Sequence, residues 1–267
     1  MIGSRSYIPP VVKNLLIING LIFLCSMYFF ELATIYIHQP TQKIFSAPEE
    51  ALEFRMEYLN ETKTRLDSKN KLEKGDLLQI EDAEKPINSV EVYSGPIYDY
   101  LALHSTKNNN FKVWQFVTHM FVHDLGWTHI FFNMFALWMF GAHIETRWGS
   151  KRFLNYYILT GIGAGLLHMI IMSSTGAFPI YTIMFGASGA VFGILLAFGM
   201  VYPNTQIMLL IPPMPIKAKY LVIGYGLLSL ILGYADTGDG VAHFAHLGGM
   251  LFGLLFFLYW KIKGVFY

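Results

Sequence analysis

Apolar residues fall along this chain in long blocks, not in the short periodic stripes of a soluble domain. A membrane span needs roughly 20 mostly apolar residues, and residues 15–37 supply the first block, with Glu31 as its one charge. That run is too long for a signal peptide, and no small-residue cleavage site follows it, so it reads as a retained helix. Further blocks at 127–144, 153–173, 188–202, 220–234 and 241–260 predict five more helices, of which that at 220–234 is short. Pro203 and the cluster Pro212-Pro213-Met214-Pro215 break the chain between the fourth and fifth. The pattern predicts an all-α polytopic membrane protein of six transmembrane helices, with both termini on one side.

Between the first two blocks the pattern changes. Twenty of the 37 charged residues lie in 42–92. Pro48-Glu49-Glu50-Ala51 opens a surface helix, with proline and acids in its first turn. Residues 77–80 and 89–93 resemble short strands, so the insert reads as a small α+β subdomain or a partly ordered excursion. Asn108-Asn109-Asn110 reads as a polar turn. The expected organisation is an N-terminal segment 1–14, a first helix 15–37, a long loop 38–126 carrying the insert, a helical core 127–260 and a tail 261–267.

Charge orients this layout. The connections that hold Arg5 and Lys13, Arg147, Lys151 and Arg152, Lys217 and Lys219, and Lys261 and Lys263 all lie on one side. The loops at 175–185 and 235–240 on the other side hold no Lys or Arg. The positive-inside rule then places both termini in the cytoplasm and the long loop outside. The short N-terminus, without a transit sequence, points to a prokaryotic plasma membrane. Composition agrees with a bilayer: 54% of residues are hydrophobic and 14% charged, against about 25% charged in soluble domains. The net charge of +1 gives no reason to expect a nucleic-acid partner. The lone Cys25 excludes an internal disulfide and argues against a cysteine metal cage.

Against that background, Gly186-Ala187-Ser188-Gly189 stands out, because 153–216 contains no charged residue. A serine in a membrane helix often bonds back to the preceding turn or allows close helix contact. Ala190 excludes the Gly-x-Ser-x-Gly nucleophile elbow. At a helix N-terminus, however, Ser188 would meet free N–H groups and the positive dipole end. A histidine lies downstream in Ala245-His246-Leu247-Gly248-Gly249. Gly249 and Gly253 follow His246 at i+3 and i+7, and Gly189 and Gly193 offer matching gaps beside Ser188. Close packing of these helices would let His246 act as base to Ser188, whose neutral hydroxyl is a weak nucleophile. His243 competes for that role, but its i+3 and i+7 neighbours are the bulky His246 and Met250.

A third cluster comprises His119, His123, His129 and Asn133. Its spacings do not fit a zincin and no His-Glu-x-x-His occurs, so neither a metal nor another cofactor is expected. His129 and Asn133 share a helix face at i and i+4, and both can donate hydrogen bonds to an oxyanion.

Together these residues resemble the rhomboid family of intramembrane serine proteases. The resemblance runs over 114–253 and rests on Gly-Ala-Ser-Gly, Ala245-His246-x-x-Gly249-x-x-x-Gly253, His129-x-x-x-Asn133 and Gly141-x-x-x-Glu145-x-x-x-Gly149. It implies a Ser188–His246 dyad without the third carboxylate of soluble triads. It implies an oxyanion hole of the Ser188 N–H with the His129 and Asn133 side chains, and packing around the site by Gly186, Gly189, Phe192, Gly249 and Gly253. His119 would help form a hydrated cavity, and Gly238 and Gly240 would make the last outer loop a mobile cap. The implied partners are the lipid bilayer and a transmembrane protein substrate, whose helix enters near the fifth span, unwinds and is cut after a small residue. Two positions depart from the family. Trp114-Gln115 stands where Trp-Arg is frequent, which implies altered loop anchoring. Phe192 stands where many members have tyrosine, so it can stack on His246 but lacks the hydroxyl. The alternative is a catalytically inactive rhomboid-like module that binds membrane proteins. A transporter would show inverted repeats and broken-helix charge sites, and the sequence shows neither.

Overall fold

The computed structural model describes residues 8–29, 31–38, 43–45, 48–67, 87–175, 183–209, 213–235 and 241–264. The chain divides into two compact units, one of Met1–Phe30 with Gly95–Tyr267 and one of Glu31–Ser94.

The first apolar block is not one helix to residue 37. Helix α1 covers Pro10–Tyr28, and Glu31–His38 forms strand β1. A 19-residue helix is about 28 Å long, enough to cross a hydrocarbon core of about 30 Å. The residues beyond it, Glu-Leu-Ala-Thr-Ile-Tyr-Ile-His, are rich in β-branched and aromatic types that fit a pleated surface. Residues 32–37 among them continue the apolar run of the helix before. β1 pairs antiparallel along its whole length with β3 (Ile87–Ser94), from Glu31↔Ser94 to His38↔Ile87. The short β2 (Lys43–Phe45) pairs on its other side, giving the order β2-β1-β3. Helix α2, Pro48–Asp67, completes this unit among the described residues, beginning at the expected proline. The expected strand 89–93 lies within β3, while 77–80 falls outside the described residues.

The larger unit is mostly helical. Helix α3 (Pro96–Leu101) and strand β4 (Leu103–His104) lead to a tight turn. There the Asn110 N–H donates to Asn108 Oδ1 at 2.8 Å. Helix α4 (Gln115–Thr118) and a 3-10 turn (His119–Phe121) follow. The second apolar block is longer than expected and interrupted: α5 (Trp127–Ala136), a π-helical turn (Leu137–Gly141) and α6 (Ala142–Trp148). Then come α7 (Ser150–Thr175), β5 (Ile183–Met184), α8 (Ser188–Val201), the hairpin β6 (Gln206–Met208) and β7 (Pro215–Lys217), α9 (Ala218–Ala235) and α10 (His243–Ile262). Among the described residues, four helices are long and apolar enough to cross a membrane: α1, α7, α9 and α10; α8 is apolar but shorter.

The Gly141–Glu145–Gly149 spacing has a physical cause. α1 begins after Pro9 with no side-chain cap, so its first N–H groups need acceptors. Glu145, 2% exposed, supplies them. Its carboxylate accepts from Val11 N at 2.9 Å and Val12 N at 2.7 Å, and from Ser150 Oγ at 2.6 Å. Four residues earlier, Gly141 lies close to Val12, where a Cβ would come within 3.2 Å of its side chain. Four residues later, Gly149 closes α6, its N–H donating to the Glu145 carbonyl at 2.8 Å.

The main core gathers α1, the π turn, α6, α7, α8 and α10 around Tyr156, Phe153, Ile144 and Ile194. A smaller cluster of Leu103, Ala164, Met169, Met184 and Ala245 joins the β4–β5 pair to α7 and α10. It lies beside the segment that delivers Ser188.

Candidate active site

The segment ahead of Ser188 is held from two sides. β5 pairs with β4 through Leu103↔Met184 and His104↔Ile183. The Gly186 N–H donates to the His119 carbonyl at 2.9 Å. Gly186 has φ +123°, and a Cβ there would approach the His129 ring at 3.2 Å, so the position demands glycine twice over. Ser188 is the first residue of α8. Its N–H has no intrahelical acceptor, and the positive dipole end surrounds it.

His246 lies in the first turn of α10, and its Nε2 stands 2.9 Å from Ser188 Oγ. The Phe192 ring stacks flat on the imidazole, with centroids 4.1 Å apart and planes 6° apart. Phe192 in turn meets Tyr225 of α9 edge-on at 5.9 Å. The helices come this close because side chains are missing where they touch. A Cβ on Gly249 would collide with the Gly189 carbonyl, and one on Gly189 would collide with Ala164. A Cβ on Gly253 would lie 3.3 Å from the Gly193 Cα. His243 does not bond Ser188 in His246's place; its ring stands edge-on to His246 at 6.0 Å.

The structure also brings His129 to this point. Its Nε2 and Cε1 flank the space where a Gly186 Cβ would sit, and Ser188 Oγ bounds the same space at 3.7 Å. The other nitrogen, Nδ1, accepts the Asp124 backbone N–H at 3.2 Å. Asn133 is buried, and its amide donates to the His129 carbonyl at 2.9 Å, leaving one amide hydrogen for another acceptor. His119 and His123 are both buried. Burial pushes the His119 imidazole down to about 4 and that of His123 to about 3. The His123 ring packs against His129 at 5.2 Å. Gly238 and Gly240 fall outside the described residues.

Gln115 does the anchoring that the Trp114-Gln115 departure left open. Its Oε1 accepts from His104 N at 3.3 Å and Lys112 N at 3.0 Å. Its Nε2 donates to the Asp99 carbonyl at 3.3 Å and the Asn110 carbonyl at 2.9 Å. Sequence reading missed Tyr98, Phe185 and Asp124. The buried Tyr98 hydroxyl donates to the His123 carbonyl at 2.9 Å, and its ring meets Phe185 at 5.6 Å. No local pattern announces Tyr98 or Phe185. Asp124 did carry a signal, since Asp124-Leu125-Gly126 directly precedes a helix.

A family model described as the rhomboid domain matches residues 110–261. The chain belongs to the rhomboid family. It is 33% identical over 155 residues to the rhomboid protease AarA of Providencia stuartii, covering 53% of this chain and 54% of that protein. It is 32% identical over 143 residues to the mitochondrial rhomboid protein 1 of Saccharomyces cerevisiae, covering 51% and 38%. Against the rhomboid protease GlpG of Yersinia pestis it is 26% identical over 160 residues, covering 60% and 52%. This rhomboid thus spans about half or less of the length of these relatives. Family and apolar helices together make it a multi-pass membrane protein.

Proposed function

We propose that this rhomboid is an intramembrane serine endopeptidase, acting through a Ser188–His246 dyad on transmembrane segments of other proteins. The observation that carries this reading is the 2.9 Å contact between Ser188 Oγ and His246 Nε2 at the start of α8. Ser188 donates its proton to Nε2 as Oγ attacks the scissile carbonyl carbon. The new C–O⁻ forms beside the Ser188 N–H, with the His129 and Asn133 side chains as further donors. His246 returns the proton to the leaving amine, and an acyl group remains on Oγ. Water then gives a proton to Nε2 and attacks the ester carbon, and as the acyl C–O bond breaks Nε2 passes that proton to Oγ, which restores Ser188 and frees the acid product. The flat Phe192 ring, stacked on the imidazole, holds its plane.

In this reading the chain has six spans, the interrupted 127–148 helix and the short α8 completing the four long ones. Both termini are cytoplasmic, the 31–94 unit is extracytoplasmic, and the substrate helix enters beside α9. Extended substrate backbone is tolerated there only against protein or water. The test is cleavage of a single-span substrate in detergent or proteoliposomes, alongside labelling by a fluorophosphonate probe. Ser188→Ala and His246→Ala are each expected to lower kcat at least about 10³-fold, and Ser188→Ala to abolish labelling. Equal cleavage by wild type and Ser188→Ala would overturn the assignment.

A further inference from the structure

We propose that Asp124 is a positioning residue that locks His129 as the tautomer protonated on Nε2, the ring nitrogen nearer the Gly186 turn that leads into Ser188. The proposal rests on the protease reading and adds to it the group that sets the proton.

A neutral imidazole donates from one nitrogen and accepts at the other. His129 Nδ1 receives the Asp124 backbone N–H at 3.2 Å. A backbone amide can only donate, so Nδ1 carries the lone pair and the proton sits on Nε2. Nε2 lies 3.2 Å from the point a Gly186 Cβ would occupy, and Ser188 Oγ lies 3.7 Å from that same point. An oxyanion forming on a carbonyl attacked by Ser188 then meets an N–H; the opposite tautomer would present it with a lone pair.

The Asp124 side chain aims that backbone N–H. Its Oδ1 accepts the Gly126 N–H at 2.7 Å, an Asx turn that folds the chain back on itself. The Gly126 carbonyl accepts the His129 N–H at 3.2 Å, so the turn leads directly into α5. One side chain thus shapes the loop, and the loop's amide reaches the histidine in the first turn of the helix that follows. The His123 ring packs on one side of His129 and Phe185 lies 6.3 Å away on another. Those rings restrain the imidazole plane but do not choose its tautomer.

Two measurements on the full chain in detergent test this. The first is the ¹⁵N signature of His129 in the wild type, assigned by its loss in His129→Ala. A protonated Nε2 with an unprotonated Nδ1 is expected, and a protonated Nδ1 overturns the proposal. The second is cleavage kinetics of Asp124→Ala and Asp124→Asn. The alanine variant loses the turn, so its kcat should fall about tenfold with KM unchanged, part of the 10²–10³ that a whole oxyanion donor contributes. The asparagine variant keeps an Oδ1 acceptor and should restore kcat and the ¹⁵N pattern. Unaltered kcat and nitrogen signals in Asp124→Ala overturn the proposal. Undiminished cleavage by Ser188→Ala overturns the protease reading instead, and leaves the wild-type nitrogen signals to decide the tautomer.

Discussion

Gln115 is wholly buried, and its one amide group makes four hydrogen bonds. Gln115→Ala would strand two backbone N–H groups and two carbonyls. An unsatisfied buried polar group costs about 1–3 kcal/mol, so the variant should lose roughly 2–4 kcal/mol, measured as thermal stability in detergent. Gln115→Arg restores the residue frequent in the family, yet it should also destabilise, because a guanidinium cannot accept from His104 N and Lys112 N. Phe192 makes a contrasting case. Phe192→Tyr keeps the stacked ring and should retain near-wild-type kcat. Phe192→Ala frees the imidazole and should lower kcat about tenfold, a fraction of what misplacing a catalytic group costs. The resemblance to the family disclosed Phe192, which stands where many members have tyrosine four residues after the serine. It disclosed only that Gln115 was unusual, since its four partners are backbone atoms of a helix, a strand and a turn that only the tertiary structure brings together.

Among the elements, the contact between α8 and α10 is the most exacting. Gly189 and Gly249 meet through backbone atoms, and backbone gives way less easily than a flexible side chain. Gly249→Ala inserts a methyl group against the Gly189 carbonyl, and overpacking of this kind costs typically 1–3 kcal/mol or more. Because the same contact sets the Ser188–His246 distance, kcat/KM should fall more than tenfold. Fluorophosphonate labelling of Ser188 should fall with it, and labelling at the wild-type rate would show that the helices had not been parted. The i+3 and i+7 glycines were legible because helical periodicity puts them on the His246 face. The end of α1 was not. Lipid and the interior of a sheet both select apolar residues, so hydropathy ran on through Glu31–His38 until pairing with β3 separated strand from span. The π turn Leu137–Gly141 was hidden for a related reason: a π and an α turn use the same residue types.

Across the molecule, the near-neutral net charge conceals a set of buried neutral histidines. His104, His119 and His123 lie outside the spanning helices, and burial lowers all three. In the unfolded chain each titrates near 6.5, so below that pH the unfolded state binds more protons than the native one. The stability that neutral histidines contribute is therefore complete above about 6.5 and is lost as pH falls toward 4. For His119 alone the loss approaches roughly 3 kcal/mol. Thermal unfolding followed from pH 7.5 to 4.5 should show a steady fall, shallower in His119→Asn.

The pairing of Glu31 with Ser94 has a wider consequence. Cross-strand neighbours stand about 5 Å apart, so the 31–94 unit begins and ends at a single doorway. Such a segment can be lifted out, or exchanged for another, by one short join that leaves the order of the remaining helices unthreaded and uncut. Variation in this unit can thus arise as a cassette, independently of the helical unit that carries the proposed dyad. A chain with 31–94 replaced by a glycine link should keep fluorophosphonate labelling at Ser188, while its choice among substrates changes.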